Sequence, residues 1–132
     1  MEEKVKKVSS VEGVPSPRAS YSVYTQVGNF VFLAGQVAVD PKTKEIPKRF
    51  SDQVHLVLGS IQKTLESVGS SMDHVLKTTV FLKSRSYLQE YDKIYRSYFK
   101  AGYPARSTIV AEMAHEDFLI EIEAIGWIPQ RF

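Results

Sequence analysis

Residues 30–39, FVFLAGQVAV, are almost continuously apolar. A strand of that composition is expected to be covered on both faces, which calls for a layered structure. Within it Gly35 marks a β-bulge or a close approach to the backbone. Residues 21–26 are also β-rich and are separated from this run by Val27-Gly28-Asn29. Gly and Asn there can supply the positive φ of a tight hairpin, so the two runs are expected to pair antiparallel. Residues 11–20, VEGVPSPRAS, read as a loop joining a short first strand to the body, and Asp40-Pro41-Lys42 turns the chain after the hairpin. Ser51 is expected to cap a helix, because behind it Val54, Leu58, Ile61, Leu65 and Val68 recur at three- and four-residue intervals up to Gly69. Residues 75–82, VLKTTVFL, are short and β-branched and read as a strand. A second helix is expected over 86–99, with Leu88, Tyr91, Tyr95 and Tyr98 or Phe99 inward, closed by Gly102 and Pro104. Strands over 107–112 and 119–128 follow, joined by a polar turn through His115, Glu116 and Asp117. The order is β-β-β-α-β-α-β-β. Strands at both ends around two helices predict an α+β fold, a mixed six-stranded sheet with both helices on one face, rather than a doubly wound parallel sheet.

With 132 residues the chain is too short for two full cores, so residues 1–132 are read as a single domain. No run approaches the ~18 apolar residues of a membrane span, and MEEKVKKVSS at the start has no apolar stretch for a signal peptide. A cytoplasmic protein without a membrane partner is expected. The absence of cysteine excludes disulfides, thiolate zinc sites and cysteine nucleophiles. A net charge of +2 falls short of a dedicated nucleic-acid binder, and no basic-aromatic cluster supports RNA binding or nuclease activity. His55, His74 and His115 are scattered without metal-ligand spacing, so no metal site is expected. No G-x-S-x-G elbow, P-loop or dinucleotide fingerprint occurs. Tyr87, Tyr91, Tyr95 and Tyr98 read as packing residues rather than a base-stacking platform.

The last predicted strand carries the most chemistry. Its alternation puts Leu119, Glu121, Glu123, Ile125 and Trp127 on one side and Ile120, Ile122, Ala124 and Ile128 on the other. Two carboxylates thus share a face, about 7 Å apart. In so apolar a strand a carboxylate needs a cationic partner or a proton. Glu123 is read as a solvated or cross-strand paired residue, and Glu121, nearer the loop, as the functional one. Arg106 follows the helix-closing GYPA and is expected just before a strand, where a loop delivers it to the rim of the sheet. There its planar fork can hold a small carboxylate through two parallel hydrogen bonds.

GYPARS at 102–107, IEIEAIGWI at 120–128, FLAGQVAVDPKTKEIP and VLKTTVFLK together resemble the RidA/YjgF family from about residue 20 to 128. The resemblance implies a chorismate-mutase-like fold and a homotrimer with active sites in clefts between subunits. It implies hydrolysis of 2-aminoacrylate and similar enamine/imine acids, of the 2-iminobutanoate/2-iminopropanoate type, to 2-keto acids and ammonia, without a cofactor. On the family pattern Arg106 matches the arginine that binds the substrate carboxylate and Glu121 the glutamate that positions and activates water. Tyr21 matches the tyrosine near the N-terminus, and Gly35 the glycine whose backbone lines the pocket. Three positions depart from the pattern: Ala19-Ser20 replaces Gly-Pro, Ala34 stands at a serine and Asp92 at an asparagine of the substrate pocket. Loss of a hydroxyl and gain of a negative charge leave open a shifted substrate, such as 2-aminomuconate. A non-catalytic module binding small acids or a protein is the competing reading, against which both Arg106 and Glu121 are present.

Overall fold

The computed structural model describes residues 4–129. Its elements are β1 (Lys6–Val8), β2 (Tyr24–Val27), β3 (Phe30–Val37), α1 (Phe50–Ser67), β4 (Val75–Leu82), α2 (Leu88–Arg96), β5 (Ala105–Val110) and β6 (Ile120–Trp127), in the expected order. The strands form one mixed sheet, β1-β2-β3-β6-β4-β5. All neighbours are antiparallel except β4 and β5, which are parallel and joined through α2. A parallel pair needs such a crossover, and the helix it contains covers the sheet.

The β2–β3 turn holds only Gly28 and Asn29 between the paired residues Val27 and Phe30. Gly28 alone takes positive φ, 56°, the pattern of a type II′ hairpin turn. Helix α1 ends in a Schellman motif: Gly69 is left-handed at φ 82°, Ser70 N–H donates to Leu65 O and Gly69 N–H to Glu66 O. Its start differs from expectation. Ser51 is not the cap but lies in the first turn, behind an extended Arg49 that makes no side-chain cap bond. The buried Phe50 stacks on Tyr87 with ring centroids 4.1 Å apart, and this packing draws the helix start upstream. Gln53, fully buried, donates to Pro47 O and Asp117 O and accepts from Leu119 N–H, tying α1 to the segment that feeds β6.

Helix α2 is shorter than predicted, preceded by a 3-10 turn over Arg85–Tyr87 that Ser84 caps through Ser86 N–H. The turn rotates the register, so Leu88 is 39% exposed rather than inward, while Tyr91, Tyr95 and Phe99 enter the core. Both helices lie on one face of the sheet, over Val31, Leu33, Thr78, Val80, Leu82, Ile120, Ile122 and Ala124. The other face is open, and here the sequence expectation for residues 30–39 is corrected. Phe30 and Phe32 alternate exposed with buried Val31 and Leu33, so a single chain covers β3 on one face only. Ile125 and Trp127, half-buried, pair with Phe32 and Phe30 on that open face.

Candidate functional site

Arg106 lies inside β5, as its second residue, and not in the loop before it. Pro104 offers no N–H to a ladder, so pairing with β4 begins immediately after it, at Ala105 opposite Lys77 and Arg106 opposite Thr78. β5 is the edge of the sheet. The Arg106 guanidinium is bedded over two rings, 5.1 Å from the centroid of Tyr91 and 4.9 Å from that of Tyr95. Those rings are fixed from behind, Tyr95 by a 2.7 Å hydrogen bond to Thr78 and Tyr91 by one of 3.2 Å to Thr108. Burial pushes the Tyr91 phenol up to about 12, so it is a neutral partner. Nη1 of Arg106 donates to Asp92 Oδ1 at 2.8 Å, and Arg96 Nη2 donates to Oδ2 of the same carboxylate at 3.0 Å. Hydrogen bonds from Arg106 and then Arg96 hold the Asp92 carboxyl below the usual range. The three charged side chains, with Tyr95, Tyr103 and Pro104, line a cleft of about 330 Å³. Tyr91, Tyr95 and Arg96 were missed as parts of this setting, although Asp92 and Arg96 carry the i,i+4 spacing of a helical ion pair.

Glu121 belongs to a second cluster. β3 bulges between Leu33 and Gln36, where two residues of β3, Ala34 and Gly35, stand opposite one of β6, Glu123. The bulge puts Gly35 under the Glu121 side chain: a Cβ there would stand 2.9 Å from its Cδ and 3.1 Å from its Cγ. Both sequence readings of Gly35, bulge and close approach, thus apply at once, and Ala34 is the other residue of the bulge. Burial raises the Glu121 pKa, and the neighbouring charge of Glu123 adds to the shift. Glu123 itself is exposed. Glu121 opens on a shallow cleft with Phe81 and residues 111–114. Val37, its partner across β3 and β6, also lines a groove of about 250 Å³ that contains Tyr21, Val23, Gln36 and Phe118. Tyr21 lies before β2, not within it, and is 51% exposed.

The two clusters occupy opposite faces of the sheet. Thr78 pairs with Arg106 on one side and Ala124 on the other, whereas Phe81 pairs with Ile109 and Glu121. Paired residues share a face, and positions three apart do not. Thr78 is buried under the helices, so Arg106 points to the helix side of the β5 edge and Glu121 to the open side. One chain therefore brings Arg106 together with Asp92, and Glu121 together with Gly35, but does not bring these pairs to each other, and Tyr21 lines a separate groove. Among the described residues no group of three or more His, Asp or Glu side chains has metal-binding geometry. No helix among them is long and apolar enough to cross a membrane.

These features define an α+β class in which a sheet edge presents an arginine and the open sheet face a half-buried carboxylate. The family model for endoribonuclease L-PSP matches residues 12–128. A RutC family protein of Pyrococcus horikoshii is 40% identical over 124 residues, covering 93% of this chain and 98% of that one. Escherichia coli K12 TdcF, named as a candidate reactive intermediate deaminase, is 31% identical over 125 residues, covering 92% of this chain and 97% of that one. The crystal structure of E. coli TdcF with bound serine matches with a TM-score of 0.88 at 29% identity, over 94% of this chain and 100% of that chain. The chain belongs to the endoribonuclease L-PSP family, the RidA/YjgF group.

Proposed function

We propose that the protein hydrolyses small 2-imino and enamine acids, such as 2-aminoacrylate and its 2-iminopropanoate tautomer, to 2-keto acids and ammonia, acting in the cytoplasm as a homotrimer. The observation that carries this reading is the half-buried Glu121 seated on Gly35, its pKa raised by burial, on an open apolar face that its own chain leaves unfilled. A carboxylate made more basic by burial can accept a proton from water and return it, which is what imine hydrolysis requires. The likeness to a reactive intermediate deaminase, and to its structure with a bound amino acid, supports a small amino-acid-like substrate.

Because Arg106 and Glu121 lie on opposite faces, the site is assembled between copies. Arg106 and Asp92 of one copy meet Glu121, Ala34, Gly35 and Tyr21 of the next. Arg106 grips the substrate carboxylate through the donors that Asp92 does not occupy, which orients the imine carbon toward the Glu121 side. Water attacks that carbon as Glu121 takes one of its protons. That proton passes to nitrogen to give the carbinolamine; its hydroxyl proton then moves to nitrogen through Glu121 as the C–N bond breaks, releasing ammonia and forming the carbonyl. The substrate is already electrophilic, so this chemistry calls on no cofactor. The test is release of ammonia and keto acid from freshly generated 2-aminoacrylate. Wild type should accelerate it, and Arg106→Ala and Glu121→Ala should each lose at least about a hundredfold in kcat/KM. No acceleration by wild type would overturn the reading in favour of a non-catalytic acid-binding module.

A further inference from the structure

Arg96 has no part in the mechanism above, yet it lines the same cleft as Arg106. The Asp92 carboxylate is shared between the two, Oδ1 with Arg106 at 2.8 Å and Oδ2 with Arg96 at 3.0 Å. Packing does not account for this placement, since the Arg96 side chain is 62% exposed. Charge does. With Asp92 alone beside it, Arg106 would be neutralised by its own chain, and a carboxylic acid would enter a cleft with no net attraction and an anion at hydrogen-bonding distance from its anchor. Two guanidiniums around one carboxylate leave a net charge of +1. Holding Oδ2 also fixes the plane of the Asp92 carboxylate, and Oδ1 in turn fixes the Nη1 edge of a guanidinium already bedded on Tyr91 and Tyr95. The Nε and Nη2 donors of Arg106 make no hydrogen bond within the described residues, and they remain for a ligand.

We propose that Arg96 is a positioning residue for Arg106: by balancing Asp92 and holding its second oxygen, it keeps the cleft positive and the arginine aimed at a monoanionic carboxylic acid. This rests on the reading of the cleft as a carboxylate site. It predicts that Arg96 and Asp92 act as a coupled pair, so that the cost of losing the arginine depends on the aspartate being present.

The experiment is calorimetric titration of 2-oxobutanoate, the keto acid that hydrolysis of 2-iminobutanoate would release, into wild type, Arg96→Ala, Asp92→Asn and the double variant. Circular dichroism checks that each is folded. Arg96→Ala is expected to weaken Kd about five- to tenfold, the scale of one unit charge at several ångströms in a partly exposed cleft. Asp92→Asn in that background is expected to restore affinity to within about twofold of the Asp92→Asn single variant, where the released Arg96 is screened by solvent. Imine turnover on the same proteins should place the Arg96→Ala effect mainly in KM. Equal Kd for Arg96→Ala and wild type, or the same factor lost in both backgrounds, would overturn the proposal. Wild type that shows this coupling but hydrolyses no imine supports the role of Arg96 and removes the deaminase reading. Wild type without affinity for 2-oxobutanoate overturns both.

Discussion

Among the described glycines, Gly35 meets its neighbour, the Glu121 side chain, most closely. An added methyl at Gly35 meets the end of a flexible side chain rather than backbone, so Glu121 can swing aside and the fold survives. Gly35→Ala is expected to cost about 1 kcal/mol or less in stability while displacing the carboxylate, with kcat/KM for imine hydrolysis falling at least about tenfold. Comparison of urea denaturation with kinetics on the same variant checks this, and the reverse pattern would place Gly35 in folding alone. The raised pKa of Glu121 makes a second prediction. Since burial disfavours the ionised form, the stability this group contributes is complete below the ordinary glutamate value and is lost as pH rises through the raised one. Glu121→Gln is therefore expected to be inactive yet to melt at a higher temperature than wild type at pH 7, with the difference shrinking toward pH 4. The close approach of Glu121 to Gly35 was partly legible, from a strand alternation and an isolated glycine. The bed under Arg106 was not, because Tyr91 and Tyr95 read equally well as plain core residues, which they also are.

At the scale of elements, period and composition carried the order of strands and helices, and local packing decided their ends. Phe50 on Tyr87 moved the start of α1 away from Ser51, and the 3-10 turn after Ser84 rotated Leu88 outward. Arg106 moved from a loop into β5 because the parallel pairing with β4 begins at Ala105, directly after Pro104. Gln53 is the clearest case of an element held by a residue whose role is invisible in sequence. It interrupts the apolar stripe of α1, and only the fold brings Pro47, Asp117 and Leu119 to its amide. Gln53→Ala is expected to lower unfolding free energy by about 2–4 kcal/mol, through a cavity and unpaired buried backbone groups. Chemical denaturation measures it, and a loss under about 1 kcal/mol would show that water replaces these bonds.

For the whole molecule the open sheet face is the decisive feature. The apolar composition of β3 predicted cover on both faces, and the chain supplies it on one, leaving Phe30 and Phe32 exposed beside Ile125 and Trp127. Read as half of an interface, that face reconciles the sequence with the fold. Phe32→Glu is then expected to yield a folded monomer in sedimentation equilibrium, with imine hydrolysis lost along with the assembly. An unchanged oligomeric state would place the interface elsewhere. The proposed site takes Arg106 from one copy and Glu121 from the next, since within one chain the two lie on opposite faces of the sheet. Complementation tests this directly: Arg106→Ala and Glu121→Ala chains, each inactive alone, are co-expressed at equal levels and imine hydrolysis by the mixed oligomers is measured. If each site takes its arginine from one copy and its glutamate from the next, random mixing leaves about a quarter of sites intact, and about a quarter of wild-type activity should return. Mixed oligomers as inactive as either parent would contradict a site shared between chains.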